Sequence, residues 1–434
     1  MITLDQARRL ADNRSFGAAG NGPRRLAAPA PMPAHLPART ASRGATQILE
    51  FFLFLTILIS CFVFIEPAPY DLSLVPLAFA CLIAGVTIKR ELLPLIWLLL
   101  VFNIGGAIAY FRVSDFELSA RFVMISVFMA LSAIVFACVF STDSLRRMRI
   151  LRAAYIIAAL LAATTGILGY FRVTAALGEL FAPGGRALGM FKDPNVYGPF
   201  LILPILFLLQ SLLERIRLFT AATLLVILLG FFLSFSRGAW MHFILSGVVM
   251  FGLMLVTAES HKARFRLIVL GALSVAFMAV ALTVALSFDS VSTMFDQRAQ
   301  VVQSYDVGDG GRFTLQALAL DEILHFPLGM GPFGFYLEHG LQQHNVYLQA
   351  FLVYGWIGGF AYVALLIVTL VIGLVHAMKR TPWQPYLIAA YATFVGEVGE
   401  GIIIDTDHWR HFFLLLGIIW GLVAASRDVT RQPL

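Results

Sequence analysis

A stretch of 41 residues, Leu218 to Ala258, carries a single formal charge, that of Arg237. A helix that spans a membrane needs about 20 apolar residues, so this stretch is long enough for two spans. A guanidinium at the centre of a bilayer costs at least about 2.5–3.5 kcal/mol, even on the most lenient scale. We therefore expect two membrane helices with Arg237 at the turn between them, which leaves open what this arginine binds.

The whole chain has the composition of a membrane protein. Hydrophobic residues make up 59% of it and charged residues only 13%, whereas soluble domains carry about 25% charged residues. Windows of about 20 apolar residues predict an all-α, polytopic membrane protein with about twelve transmembrane helices. The predicted spans are 47–65, 71–88, 92–110, 119–140, 150–171, 194–213, 216–234, 238–257, 267–287, 344–374, 386–404 and 411–426.

The basic residues follow a consistent topology. If the N-terminus is cytoplasmic, 22 of the 31 Lys and Arg residues fall in cytoplasmic segments and the other 9 fall outside. Cytoplasmic loops of membrane proteins are enriched in Lys and Arg, so this bias predicts that both termini are cytoplasmic. It also accounts for the net charge of +6 without a nucleic-acid partner.

The chain divides into three parts. Residues 1–46 lack the apolar core of a signal peptide and are rich in Ala, Pro and Arg, which predicts a disordered cytoplasmic arm. Residues 47–426 form the predicted transmembrane domain, and residues 427–434 a cytoplasmic tail. A long outside loop, 288–343, interrupts the domain, and residues 312–326 within it predict an amphipathic helix over the membrane face. Its apolar stripe is Phe313, Ala317, Leu320 and Leu324.

Among the arginines on outside segments, which run against the charge bias, three lie in short or Gly-rich loops around one face. They are Arg186, Arg237 and Arg312, and Lys192 lies near the first of them. Guanidinium groups bind phosphate oxygens in a bidentate manner, so a cluster of three favours an anionic ligand. Each arginine alone could instead reach a lipid headgroup or pair with a nearby acid. Asp193 is predicted to cap the helix that follows, with Pro194 in its first turn.

His344 and Asn345 open the tenth predicted span. The positive end of the helix dipole disfavours a protonated imidazole, which would leave His344 neutral and able to accept a proton. Asn345 could orient the ring or a substrate. The alternative is that His344 is simply a polar residue at a wet interface, and His325 and His339 in the same loop are rival bases.

Acidic residues supply two further hypotheses. Glu397 and Glu400 share one face of a predicted span, where acids are suspected of function and could orient the arginines. A metal site in DTDHWRHFF is the alternative that its four ligand-type side chains suggest, namely Asp405, Asp407, His408 and His411. A metal that holds a nucleotide sugar is disfavoured there, because this segment is predicted outside. The predicted site therefore contains no metal.

Four segments resemble the O-antigen ligase and polymerase superfamily of bacterial inner-membrane glycosyltransferases. They are RALGMFKDPNVYGPF (186–200), SFSRGAW (234–240), RFTLQALALDEILHFPLGMGPFGF (312–335) and HNVYLQAFLVYGWIGG (344–359). They occur in the order found in the family, and the resemblance covers roughly residues 50–425. EPAPYD, with Glu66 and Asp71, and DTDHWRHFF resemble exopolysaccharide-type members.

The resemblance implies a reaction. A glycan on an undecaprenyl diphosphate carrier is transferred, with inversion and without a cofactor or metal, to a saccharide hydroxyl on the periplasmic face. The acceptor is lipid A core in ligases and another lipid-linked glycan in polymerases, and both remain open here. Arg186, Arg237 and Arg312 resemble the arginines with which the family binds the diphosphate, and His344 resembles its essential histidine.

A transporter of an anionic lipid-linked glycan, which would cleave no bond, is the alternative from another functional class. Many transporters are built from repeated halves. The sequence shows no halved, self-similar pattern of spans, which disfavours this alternative.

Overall fold

The computed structural model describes residues 42–113, 116–300, 308 and 310–431. All regular secondary structure in these ranges is helical, which confirms the predicted all-α class. The helices are α1 (Arg43–Leu58), α2 (Pro69–Ile83), α3 (Leu93–Tyr110), α4 (Phe116–Phe140), α5 (Ser144–Tyr170), α6 (Ala175–Phe181), α7 (Pro194–Glu214), α8 (Leu218–Phe232), α9 (Arg237–Thr257), α10 (His261–Leu286), α11 (Asp289–Arg298), α12 (Arg312–His325), α13 (Gly334–His339), α14 (Val346–Ala377), α15 (Gln384–Glu400) and α16 (Arg410–Arg431).

Each predicted span coincides with a helix. Within the described ranges, eight helical segments are long and apolar enough to cross a membrane, and α2, α8 and residues 410–426 of α16 are shorter apolar helices. α15 covers the remaining predicted span, 386–404. The protein is therefore a multi-helix membrane protein, while the count of twelve spans stays a prediction.

Helix ends follow from capping side chains. The Asp193 carboxylate accepts a hydrogen bond from the Asn195 N–H (2.7 Å), with Pro194 at the first helical position, as predicted. The Ser236 side chain accepts one from the Ala239 N–H (3.4 Å), so α9 begins at Arg237 and the turn between two apolar helices lies where it was expected.

The first boundary was predicted too late. α1 begins at Arg43, because the Ser42 hydroxyl accepts a hydrogen bond from the Ala45 N–H (3.2 Å), so the end of the predicted arm 1–46 is helical. The rest of the arm, 1–41, lies outside the described residues. At the other end, α16 continues to Arg431 within the predicted tail, and 432–434 lie outside the description.

Helices α3 and α14 pack at backbone contact. A Cβ atom added to Gly105 would lie 2.4 Å from the Tyr354 carbonyl oxygen and 2.8 Å from Gly358 Cα. The Phe102 and Tyr354 rings stack beside this contact, with centroids 3.9 Å apart. Small residues that let backbones approach are a usual means of helix association in membranes, where apolar burial supplies little driving force.

Helix α14 is broken at Gly355, whose φ of 63° and ψ of −174° suit only glycine. In an unbroken helix the Trp356 N–H would bond to the Leu352 carbonyl four residues earlier. Here the Trp356 N–H donates to the Pro327 carbonyl (2.9 Å), and the Leu352 carbonyl accepts from the Met330 N–H (2.7 Å). The segment from Pro327 to Gly331 is thus hydrogen-bonded into the break.

The predicted helix over 312–326 is present as α12, but a different face packs. Leu315 and Ala319 are buried in a small apolar cluster with Leu352 of α14. The predicted apolar stripe is exposed, namely Phe313, Ala317, Leu320 and Leu324. The protein leaves this stripe uncovered, so its contact with the membrane face stays a prediction, while Leu315 and Ala319 attach α12 to α14.

Candidate functional site

One end of the bundle, which we call the site end, gathers the connections that carry the predicted site. The Val63 N–H donates to the Met190 carbonyl (2.9 Å), and the Ala187 N–H donates to the Leu233 carbonyl (2.8 Å). These bonds join the α1–α2 and α8–α9 connections to the segment between α6 and α7. Segments far apart in sequence are therefore held together by backbone hydrogen bonds.

A cavity of about 530 Å³ at the site end is lined by Arg186, Arg237, Arg298 and Arg312, and we call it the arginine cavity. Glu400 is the acidic residue among its described lining. The volume falls in the range of about 300–1,000 Å³ that is usual for small-molecule sites. The structure thus brings together the three arginines predicted from the sequence.

Arg298, the fourth arginine, was missed by the sequence analysis. It ends α11 and is the basic residue of the described part of that connection, residues 287–300. An arginine on an outside segment against the charge bias is the signal that singled out the other three, so the same criterion could have found it.

Two of the arginines are oriented by backbone carbonyls. Arg186 Nε donates to the Ser234 carbonyl (2.8 Å), and one of its Nη atoms donates to Asn195 Oδ1 (2.9 Å). Arg237 Nη1 donates to the Gln300 carbonyl (2.9 Å). These bonds fix the direction in which each guanidinium group lies at the cavity wall.

Glu400 forms a buried pair with His242 of α9. Nδ1 of His242 lies 2.8 Å from Oε2 of Glu400, and the two side chains are 0% and 1% exposed. Nε2 of the ring lies 2.9 Å from the Thr393 carbonyl, which can only accept, so Nε2 carries a hydrogen. A neutral imidazole has one N–H, and the bond to Glu400 therefore requires a further proton shared by the pair.

Glu397 does not reach the arginine cavity. It is fully buried, and its Oε1 lies 3.4 Å from Nε2 of His411. Its predicted partnership with the arginines is therefore not seen, although Glu400, one helical turn later, does line the cavity. Of these two acids of α15, only Glu400, the last residue of the helix, lines the arginine cavity.

His344 lies beside the arginine cavity, next to an acid. Its Nδ1 is 3.6 Å from Oδ2 of Asp405, and its side chain is half-exposed. Ile403 and Ile404 line the cavity, so the α15–α16 connection runs directly from the cavity to this contact. Burial raises the pKa of Asp405, and the interaction with His344 opposes that rise.

The helix-terminal position predicted for His344 needs correction. α14 begins at Val346, and Asn345 is its N-cap, accepting hydrogen bonds from Tyr347 N–H (3.0 Å) and Leu348 N–H (3.1 Å). Asn345 also donates to the Ile402 carbonyl (3.0 Å), so its side chain holds the fold rather than orienting the His344 ring. His344 precedes the cap with a left-handed φ of 48°.

Lys192 does not join the arginines either. Its Nζ lies 2.8 Å from Oε1 of Glu66, and it lines a separate, smaller cavity at the site end. The predicted grouping with Arg186 rested on proximity in sequence. The backbone between them turns, so that the two basic side chains face different cavities.

The rival histidines occupy other surroundings. His325 is exposed, and its ring contacts its own helix through the Asp321 carbonyl (2.9 Å). Nε2 of His339 lies 3.4 Å from Oε1 of Glu322. With Glu338 these two form the group of metal-type ligands found among the described residues, within 4.8 Å of one another. The four ligand-type residues of DTDHWRHFF form no such group within the described structure.

Residues 222–363 match the family model Wzy_C, described as O-antigen ligase. An O-antigen ligase domain is thus matched over about a third of the chain. The match supports the resemblance predicted from the sequence, and the apolar helices are those of a multi-pass membrane protein. The O-antigen ligase domain supplies three of the cavity's arginines and His344, whereas Arg186 and Glu400 come from outside the matched range. No curated protein matches the chain.

Proposed function

We propose that this protein transfers a glycan from an undecaprenyl diphosphate carrier to a saccharide hydroxyl at the periplasmic face of the bacterial inner membrane. The observation that carries the proposal is the arginine cavity, in which four guanidinium groups converge in and around the O-antigen ligase domain. A diphosphate offers several anionic oxygens, and guanidinium groups match that geometry better than any other side chain.

The arginines provide the electrostatic part of catalysis. When the bond between the anomeric carbon and the diphosphate oxygen breaks, the oxygen leaves with the electron pair and gains negative charge. Fixed positive groups placed where this charge develops lower the barrier without the cost of reorganising water. Arg186 and Arg237 are suited to this because their hydrogen bonds to carbonyls hold them in place. A metal is then not required.

His344 is the proposed base. It removes the proton of the acceptor hydroxyl while that oxygen attacks the anomeric carbon from the face opposite the diphosphate, which inverts the configuration. Asp405 lies 3.6 Å from Nδ1 and can hold the ring so that Nε2 faces the acceptor. His344 thus acts on the acceptor, while the arginines act on the leaving group.

The acceptor is either lipid A core or a second lipid-linked glycan. A strain without this gene distinguishes the two. Surface polysaccharide of only short repeats would indicate a polymerase, and full-length chains left on the carrier would indicate a ligase. Intact lipid-linked glycan that accumulates on the cytoplasmic side alone would instead favour a transporter.

The reaction is tested with purified protein and the lipid-linked glycan extracted from that strain, with and without added lipid A core as acceptor. We expect release of free undecaprenyl diphosphate together with an extended or newly attached glycan. The same assay in a chelator should give the same rate. A rate that falls in chelator and returns with magnesium or manganese would show that the arginines do not act alone.

A further inference from the structure

A second cavity, of about 150 Å³, lies across the N-terminus of α7 from the arginine cavity. Asp193 and Val196 line this second cavity, whereas Asn195 between them lines the arginine cavity. Three segments with no part in the proposed reaction meet here, namely EPAPYD, the FKD of residues 191–193 and the HWRH of residues 408–411.

The charged side chains at the second cavity have partners within the protein, and Asp193, an acid of its lining, accepts a hydrogen bond from the Asn195 N–H at the start of α7 (2.7 Å). Lys192 pairs with Glu66 at 2.8 Å. Arg410 donates two hydrogen bonds, of 2.8 and 2.6 Å, to both oxygens of Asp71, which makes a bidentate pair. The second cavity therefore suits an uncharged polar ligand.

The size and the rings of the second cavity fit one six-membered ring. An apolar cavity of about 150 Å³ engineered in another protein accommodates benzene. Here the lining contains the aromatic side chains of Trp409, Phe191 and Tyr155 as well as polar groups. A sugar ring has apolar C–H faces and a polar edge of hydroxyl groups, which this combination matches.

One buried polar atom of the lining, the Tyr70 hydroxyl, lacks a hydrogen-bond partner within the described structure. Its side chain is only 1% exposed. Buried polar groups nearly always find a partner in the protein, in water or in a ligand. A hydroxyl-rich ligand in the cavity would supply it.

We propose that the second cavity binds one uncharged sugar ring of the glycan substrate, with the Tyr70 hydroxyl bonding one of its hydroxyl groups. The proposal rests on the proposed function and names the subsite that its sugar occupies. The ring belongs either to the acceptor or to the donor glycan, and kinetics separate these sources.

The first measurement is binding of the free glycan, released by mild acid from the lipid-linked donor, to the purified protein. Tyr70→Phe removes one hydroxyl and should raise the Kd about 3–10-fold, the effect of one hydrogen bond to a neutral ligand. Ser60→Leu, which narrows the cavity, should raise it further. Arg237→Ala should leave this Kd unchanged, because the free glycan carries no diphosphate.

Tyr197→Phe is the matched control. Its hydroxyl is also buried and without a partner within the described structure, but it lines neither cavity. Thermal unfolding of each variant checks the fold. Equal Kd values for the wild type, Tyr70→Phe and Ser60→Leu would overturn the proposal, even if the enzyme transfers glycan normally.

Transfer kinetics then identify the source of the ring. A rise in KM for the acceptor alone would assign the second cavity to the acceptor, and a rise for the donor alone would assign it to the donor glycan. If the wild-type protein transfers no glycan, the proposed function is contradicted. A glycan Kd that nevertheless depends on Tyr70 would still support sugar binding in the second cavity.

Discussion

Nδ1 of His242 lies 2.8 Å from Oε2 of Glu400, an acid at the wall of the cavity that is lined by four arginines. A Cβ atom added to Gly238 would lie 2.7 Å from Oε1 of Glu400, so the glycine after Arg237 makes room for this acid. A carboxylate would repel a bound diphosphate, and a protonated acid would not. The pair thus allows an acid to line an anion site.

We predict that Glu400→Gln keeps transfer within about threefold of the wild type. Glutamine is the neutral isostere of the protonated acid, and its amide can donate to Nδ1 of His242. Glu400→Ala should lose more than about tenfold, because it leaves the buried imidazole unpaired. The measurement is the transfer rate of the two purified variants relative to the wild type. A glutamine variant as inactive as the alanine variant would mean that Glu400 works as a carboxylate.

Arg237→Ala should lower the transfer rate by about 10²–10³-fold, as loss of one fixed electrostatic group typically does. Arg237→Lys should recover only part, because an ammonium cannot make the bidentate fork. Arg121→Ala is the control, since Arg121 is an exposed arginine that pairs with Glu117 within its own helix. Full activity of Arg237→Ala in membranes would show that Arg237 does not bind the diphosphate, and would favour a contact with lipid headgroups.

His344→Asn should lose about 10²–10⁴-fold in transfer and still bind the lipid-linked donor. Asparagine is chosen because φ is 48° at this position, and asparagine tolerates the left-handed region better than alanine does. Asp405→Asn should lose less, since it only orients the ring, and His325→Ala should be near normal. If the only defect of His344→Asn is weaker binding of the donor, His344 binds the diphosphate and does not act as the base.

Cysteine labelling from outside the cell tests the topology. Thr314→Cys, on α12, should react with a membrane-impermeant maleimide, and Arg264→Cys, at the start of α10, should react only after the membrane is opened. The background is low, because the three native cysteines are buried. The reverse pattern would place the arginine cavity in the cytoplasm, where a periplasmic transfer is impossible.

The sequence predicted the helices well, because each depends on local information. A run of apolar residues and a capping side chain at its start are enough to place α7 and α9 within a residue or two. A charge on an outside segment, together with the motif around it, also selected Arg186, Arg237 and Arg312, and the structure brings these together. Apolar runs and misplaced charges can both be recognised in the sequence without knowing which segments contact each other in the fold.

The errors concern contacts between distant segments. Lys192 pairs with Glu66 and Asn345 with the Ile402 carbonyl, and neither partner is encoded in the spacing around the residue itself. The convergence of EPAPYD and DTDHWRHFF on one cavity depends in the same way on how α2 and α16 pack. Charge and hydropathy predict which residues are unusual, but not which of them meet.

The exchanged hydrogen bonds at Gly355 give the segment around α12 a mechanical role. Any displacement that lifts the Pro327–Gly331 segment must break its bonds to Leu352 and Trp356 together. Just after the break, α14 also packs at backbone contact against α3, at Gly358 and Gly105. A displacement of α12 is therefore coupled to α14 through these hydrogen bonds, and to α3 through its contact with α14. Arg312, at the start of α12, is therefore connected to α14 through its own helix and the Pro327–Gly331 segment.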